Sequence, residues 1–132
     1  MNGFKMKMLA LVITTFAIAA VLGGSLGVAT AGFKPSLGTG FNLVGGPLGG
    51  DVTPEKWVSC IPASSWRAIY IWDGQNQTWG HYFNTTKGVP SYVNDPKVGG
   101  IQTIKRFSGI VMIMDSAVSN PYLPDSASDA CP

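Results

Sequence analysis

Any chemistry this chain performs has few residues to draw on. His81 is the only histidine, so a Ser–His–Asp triad would have to use it, with a serine such as Ser64, Ser65 or Ser91. No G-x-S-x-G elbow is present to position a nucleophile. His81 falls in the middle of an alternating stretch and is read as a partly exposed cross-strand residue. Paired carboxylates for glycoside hydrolysis would come from Asp73, Asp95 and Asp115. Asp73 and Asp95 occupy turn-like sequence, where Asp usually serves backbone hydrogen bonds, and Asp115 ends a strand. Two cysteines and one histidine are too few ligands for a zinc site. The expectation is a chain that is not an enzyme and carries no metal or cofactor.

The aromatic residues carry more weight. Trp66, Tyr70, Trp72, Trp79 and Tyr82 crowd one short stretch, and a small domain needs such side chains for its core. Two hairpin faces are nevertheless too much for so short a chain to bury. Some rings are expected to stay exposed beside Gln75, Asn76 and Gln77, where flat rings suit docking to another protein or stacking on a sugar. These five residues form the candidate binding face. Asn76-Gln77-Thr78 and Asn84-Thr85-Thr86 match the N-x-[ST] acceptor pattern, which makes Asn76 and Asn84 candidate glycosylation sites. That pattern matters only in a host that glycosylates exported proteins.

Positioning these residues falls to a short chain with an export signal at its head. Residues 1–31 read as a secretory signal peptide. Lys5 and Lys7 make a positive n-region, Leu9 to Leu22 is an apolar run, and Ala29-Thr30-Ala31 supplies the small residues a signal peptidase needs. Cleavage is placed before Gly32. The competing reading is an uncleaved anchor, since Met8 to Val28 has about the 20 residues that span a bilayer; membrane association follows only in that case. Cys60 and Cys131 are the only cysteines, and an even count in an exported chain points to one internal disulfide. Two free thiols or pairing between chains are the alternatives.

The 132 residues suffice for one domain. Only 12% are charged, about half the usual fraction. Of nine bases, Lys5 and Lys7 lie in the leader, and the remaining seven balance the seven acids. A near-neutral mature domain lacks the basic face that nucleic-acid binding requires.

Residues 32–39 read as a flexible lead-in, followed by a single β-rich extracellular domain over 40–132. Phe41 to Val44 is a short strand. Thr53 and Pro54 start a short helix as cap and first residue, with Trp57, Val58 and Ile61 facing inward. Trp66 to Trp72 alternates so that Trp66, Ala68, Tyr70 and Trp72 share one face. A polar turn at 73–77 leads to the partner strand, Thr78 to Phe83. Residues 84–100 form a long loop pinned by Tyr92 and Val93. A second hairpin joins Ile101–Phe107 to Ile110–Met114 through Ser108-Gly109, and its last strand reads as buried on both faces. Asn120 to Pro132, with three prolines, runs as an irregular strap. The fold class is mainly β: a small antiparallel sandwich or partly open barrel with one short helix after the first strand.

Gly40-Phe41-Asn42-Leu43-Val44, Ile71-Trp72-Asp73, Thr78-Trp79, Tyr82-Phe83 and a Gly turn before the last strand occur in that order. Over residues 40–115 this resembles the "GWNLV…VWxWD…TWxxYxP…L…GxGYW" domains of secreted and surface proteins of bacteria and archaea. Phe41 replaces that pattern's Trp, and Ser108-Gly109-Ile110-Val111 stands where it has Gly-Tyr-Trp. The resemblance implies an accessory β domain outside the cell and brings no activity to carry over to this chain. Taken together, the expectation is a non-enzymatic secreted or cell-surface domain working through protein contacts, as an envelope or filament subunit or an adhesion module. Its partners would be other protein chains, its own kind or envelope proteins, and not nucleic acid. The alternative is a carbohydrate-binding module that holds an extracellular glycan with the hairpin Trp and Tyr residues.

Overall fold

The computed structural model describes residues 36–132; the expected signal peptide and residues 32–35 of the lead-in lie outside them. Strands β1 (Gly40–Gly45), β2 (Trp66–Asp73), β3 (Thr78–Phe83) and β4 (Gly109–Met114) form one antiparallel sheet in the order β1-β4-β2-β3. A short helix α1 (Pro54–Val58) follows β1. Its Thr53 cap accepts from the Lys56 amide, and Pro54 fills a first-turn position that has no backbone acceptor to lose. Three single-turn helices punctuate the loop after β3.

The β2–β3 hairpin forms where the alternation places it. Asp73 ties its turn, with Oδ1 accepting from the Gln75 and Asn76 amides and Oδ2 from the Asn76 side chain. These bonds, led by the Asn76 side chain, hold the Asp73 carboxyl below its ordinary value. Gln77 closes the turn at φ 51°.

The second hairpin does not form. Residues 101–107 make only an isolated bridge, Ile104 to Val52, and β4 instead runs between β1 and β2. Ile104 is fully buried and Ile101 partly so, a spacing of three that does not fit one strand face. A strand apolar on both faces, by contrast, suits a central position.

The described residues cover only one face of that sheet. Val44, Ile69, Ile110, Met112 and Met114 point down onto Trp57, Val58 and Ile61 of the α1 region, together with Val52, Ile104 and Leu37. Leu37 falls in the expected flexible lead-in, yet it is buried and bridges Val118. On β4, Ile110, Met112 and Met114 are buried while Val111 and Ile113 stay half-exposed, so the strand is covered on one face and not both. The long loop is likewise pinned differently. Tyr92 is exposed, and Asn94 holds the loop by accepting from the Phe83 amide and donating to the Phe83 carbonyl.

The C-terminal strap lies beside α1. The Asp125 carbonyl accepts from Gly49 and Gly50 at 3.1 and 3.2 Å, and its carboxylate accepts from Leu48. Gly49 is required by that approach, since a Cβ there would sit 2.9 Å from Asp125 Oδ2. Asp129 accepts from the Asp125 amide and from Ser126 Oγ, and the Lys56 ammonium donates to the Asp129 carbonyl. The Cys60–Cys131 disulfide closes the strap.

Acid should loosen this arrangement. The Asp125 amide and then Ser126 hold the Asp129 carboxyl below 3.8, and Lys87 and then Arg67 do the same for Asp115. A carboxyl whose folded pKa lies below its unfolded one stabilises in full at higher pH and loses that contribution as protons bind. Thermal melts should therefore hold a steady Tm down to about pH 4 and fall below it. A Tm unchanged to pH 2 would show these bonds to be idle.

Candidate functional site

The uncovered face is ordered in cross-strand rows. One row runs Phe41, Ile113, Ala68, Phe83, in which Ala68 itself is buried, and the next runs Leu43, Val111, Tyr70, His81. Trp72 and Trp79 pair beyond them at the hairpin end. No Asp, Glu, Lys or Arg occupies these positions. The rings interlock. Tyr70 meets Phe83 edge-on at 6.0 Å, Trp72 meets Trp79 at 5.3 Å, and His81 lies 5.1 Å from Phe83. Such pairs fix ring orientation with about 0.5–1.5 kcal/mol each beyond their burial. Exposure is largest at Phe41 (83%) and Leu43 (76%), and Trp79 and Trp72 remain 50% and 45% exposed.

Of the five aromatics singled out from the sequence, three reach this face and two do not. Tyr70, Trp72 and Trp79 stand on it. Trp66 is buried and stacks on Tyr82 at 6.1 Å and 14° on the core side. The cause is a bulge: Trp66 pairs with Met114, but Ala68, two residues on, pairs with its neighbour Ile113. The extra residue reverses the face of everything before it. Arg67 sits in the bulge, with its guanidinium 2.7 Å from Asp115. Tyr82, on the opposite side of β3 from Trp79, has its phenol pushed up to about 12 by burial and by the Glu55 carboxylate. Phe41, Leu43, Val111, Ile113 and Phe83 complete the open face without having been singled out. Their signal was present in the alternation of Phe41 and Leu43 and in the uniformly apolar β4.

The other candidates have structural duties. His81 Nε2 lies 2.7 Å from the Val93 carbonyl. Asp73 and Asp95 cap turns, and Asp115 is paired with Arg67 and Lys87. Among the described residues no group of three His, Cys, Asp or Glu side chains could hold a metal. Asn76 is exposed at the hairpin turn, whereas the Asn84 side chain is buried and fully hydrogen-bonded.

A groove of about 550 Å³ opens at the hairpin end, between Trp72, Asp73, Thr78 and Trp79 on one side and Gln102, Thr103 and Lys105 on the other. Its floor is Gly80, where a Cβ would come within 2.9 Å of Ile101. No family model, curated protein or solved structure matches this chain.

Proposed function

We propose that this chain is a non-enzymatic secreted or cell-surface domain that works through protein–protein contacts made by its open aromatic face, as an envelope or filament subunit or an adhesion module. The observation that carries this is the uncharged double row on the solvent side of the sheet. Four strands of about six residues give roughly 400 Å² in plan, the size of the largest apolar patch on a monomer, which is often functional. β4 carries apolar residues on both faces, and the described residues cover only one of them. A second copy stacked face to face would complete the two-layer sandwich that the sequence pattern suggests. The disulfide is consistent with an oxidising, extracellular setting, as is the resemblance of residues 40–115 to surface-protein domains.

The test is association measured by light scattering across a concentration range, for the native chain and for Trp79→Asp. Trp79 stands on β3 and is half exposed, so a carboxylate there leaves the core untouched while facing any partner. Association should weaken at least about tenfold, the equivalent of 1.4 kcal/mol, with an unchanged circular dichroism spectrum. Equal association by both proteins would remove the face from consideration.

The groove supports a second reading, a carbohydrate-binding module. Trp72 and Trp79 flank polar Asp73, Thr78, Gln102 and Thr103, the mixture of ring and hydrogen-bonding groups that sugars use. A monomer at every concentration whose Trp fluorescence shifts with added glycan would favour it.

A further inference from the structure

The two edges of the sheet are treated differently. On β3 the outward backbone groups of His81 and Phe83 are occupied: the His81 amide donates to Gly99, its carbonyl accepts from Ile101, and Asn94 takes both groups of Phe83. On β1 the outward groups are not. The Gly46 amide donates to the Ser108 carbonyl just before β4 at 2.6 Å, and backbone groups alternate in direction along a strand. Val44, Asn42 and Gly40 therefore face β4, while the amides and carbonyls of Phe41, Leu43 and Gly45 face outward. All three residues are exposed, and no bond from these outward groups to another described residue is present. Proteins normally blunt such an edge with a charge, a proline or a bulge. β1 pairs with β4 in unbroken register, has no proline, and lies in a stretch without charge from Pro35 to Gly50.

We infer that β1 pairs antiparallel with β1 of a second copy, about a two-fold axis through Leu43. This rests on the reading that the domain works through contacts with other chains, and it names the partner at the strand edge that borders the aromatic face. A second copy is the occupant because the strand is its own complement. The axis sets Phe41 opposite the partner's Gly45, so each ring lies over a residue without a side chain, and sets Leu43 against its own mate. All three outward residues then find partners at once, in about six backbone bonds. No like charges meet across the axis. The two open faces join into one eight-stranded apolar surface. An edge contact of this kind is small, below about 1,200 Å², the range of weak and reversible complexes.

Two variants of the whole chain test this, each judged beside Trp79→Asp. Leu43→Pro removes an outward donor and puts a ring in the partner's path, while the bonds to β4 remain, since proline is tolerated where the amide faces solvent. It should leave the circular dichroism spectrum unchanged and reduce dimer at least about tenfold in sedimentation equilibrium. Leu43→Cys should cross-link to itself under mild oxidation, because paired Cα atoms across the axis lie about 5.5 Å apart. Phe41→Cys should not, its two copies being about 14 Å apart. If Leu43→Pro dimerises like the native chain, or Phe41→Cys links as readily as Leu43→Cys, the edge pairing is overturned. Loss of association in Trp79→Asp alone would overturn it too, leaving the aromatic-face reading in place. Because Leu43 also stands on the open face, loss in Leu43→Pro supports the edge only together with self-linking of Leu43→Cys and none of Phe41→Cys.

Discussion

Replacing Cys60 and Cys131 together by serine should lower the free energy of unfolding by about 4 kcal/mol, measured by urea denaturation in oxidising buffer. The magnitude follows from the loop. The two cysteines are 71 residues apart in sequence, and in the chain-entropy model closing such a loop removes about 4 kcal/mol worth of freedom from the unfolded chain. Small domains have only about 5–15 kcal/mol in total, so this one bond would account for a large share. The strap would be the first part to come away. Its remaining ties are the Asp125 and Asp129 hydrogen bonds and the Lys56 contact, mostly in solvent-reached positions where each net bond contributes about 1 kcal/mol. Native-state hydrogen exchange should then show Gly49 and Gly50, which donate to Asp125, opening in the serine variant well before β4. A loss below about 1 kcal/mol would mean that those ties hold the strap by themselves and that the entropic account is wrong here.

The disulfide was readable because a chain with only two cysteines admits few arrangements, and the β2–β3 hairpin because its alternation and its polar turn agree. What failed to be readable was failure of local pattern to report long-range partners. Trp66, Ala68, Tyr70 and Trp72 have the parity of a single face, and nothing in WRAIYIW announces a bulge at Arg67. The bulge is set by residues far away, Met114 and Ile113 on β4 and Asp115 beyond it. Residues 101–107 looked like a strand adjoining β4 because they precede it. They lost that place to β1, which brings Val44 over Ile110 and Asn42 over Met112 and carries no charge, whereas Lys105 and Arg106 would have had to enter a central ladder. The open face was half legible. An apolar strand suitable for burial on both sides shows in the sequence, but whether a second layer covers it is not set by the strand's own pattern. Tyr92 and Asn94 give the same lesson in reverse: the ring was the obvious anchor, and the amide two residues later does the anchoring because it matches the two free backbone groups of Phe83.

Asn84→Ala should cost about 3 kcal/mol, close to the disulfide in size, although the sequence marks Asn84 as a surface glycan acceptor. Its side chain is only 3% exposed. The Nδ2 amide donates to the Ala63 carbonyl at 2.7 Å and to the Trp66 carbonyl at 2.9 Å, and Oδ1 accepts from the Thr86 amide and hydroxyl. Truncation strands both carbonyls, and leaving a buried polar group unpaired costs about 1–3 kcal/mol. The site also underpins the aromatic face. The Asn84 amide donates to Arg67 O in the bulge, and its side chain holds the Trp66 carbonyl just before it, so this residue fixes the turn that sends Trp66 inward and leaves Tyr70 and Trp72 outward. Asn84→Asp should be at least as harmful, since a carboxylate would aim acceptors at two carbonyls. In a glycosylating host the same geometry predicts sugar at Asn76 alone, because both Asn84 amide hydrogens are taken and the group is buried, while Asn76 is exposed and bonded only to Asp73. Intact-mass and peptide mapping of the folded protein decide this. Glycan found at Asn84 on folded, soluble chain would mean that the strut is dispensable, and Asn84→Ala should then melt like the native protein.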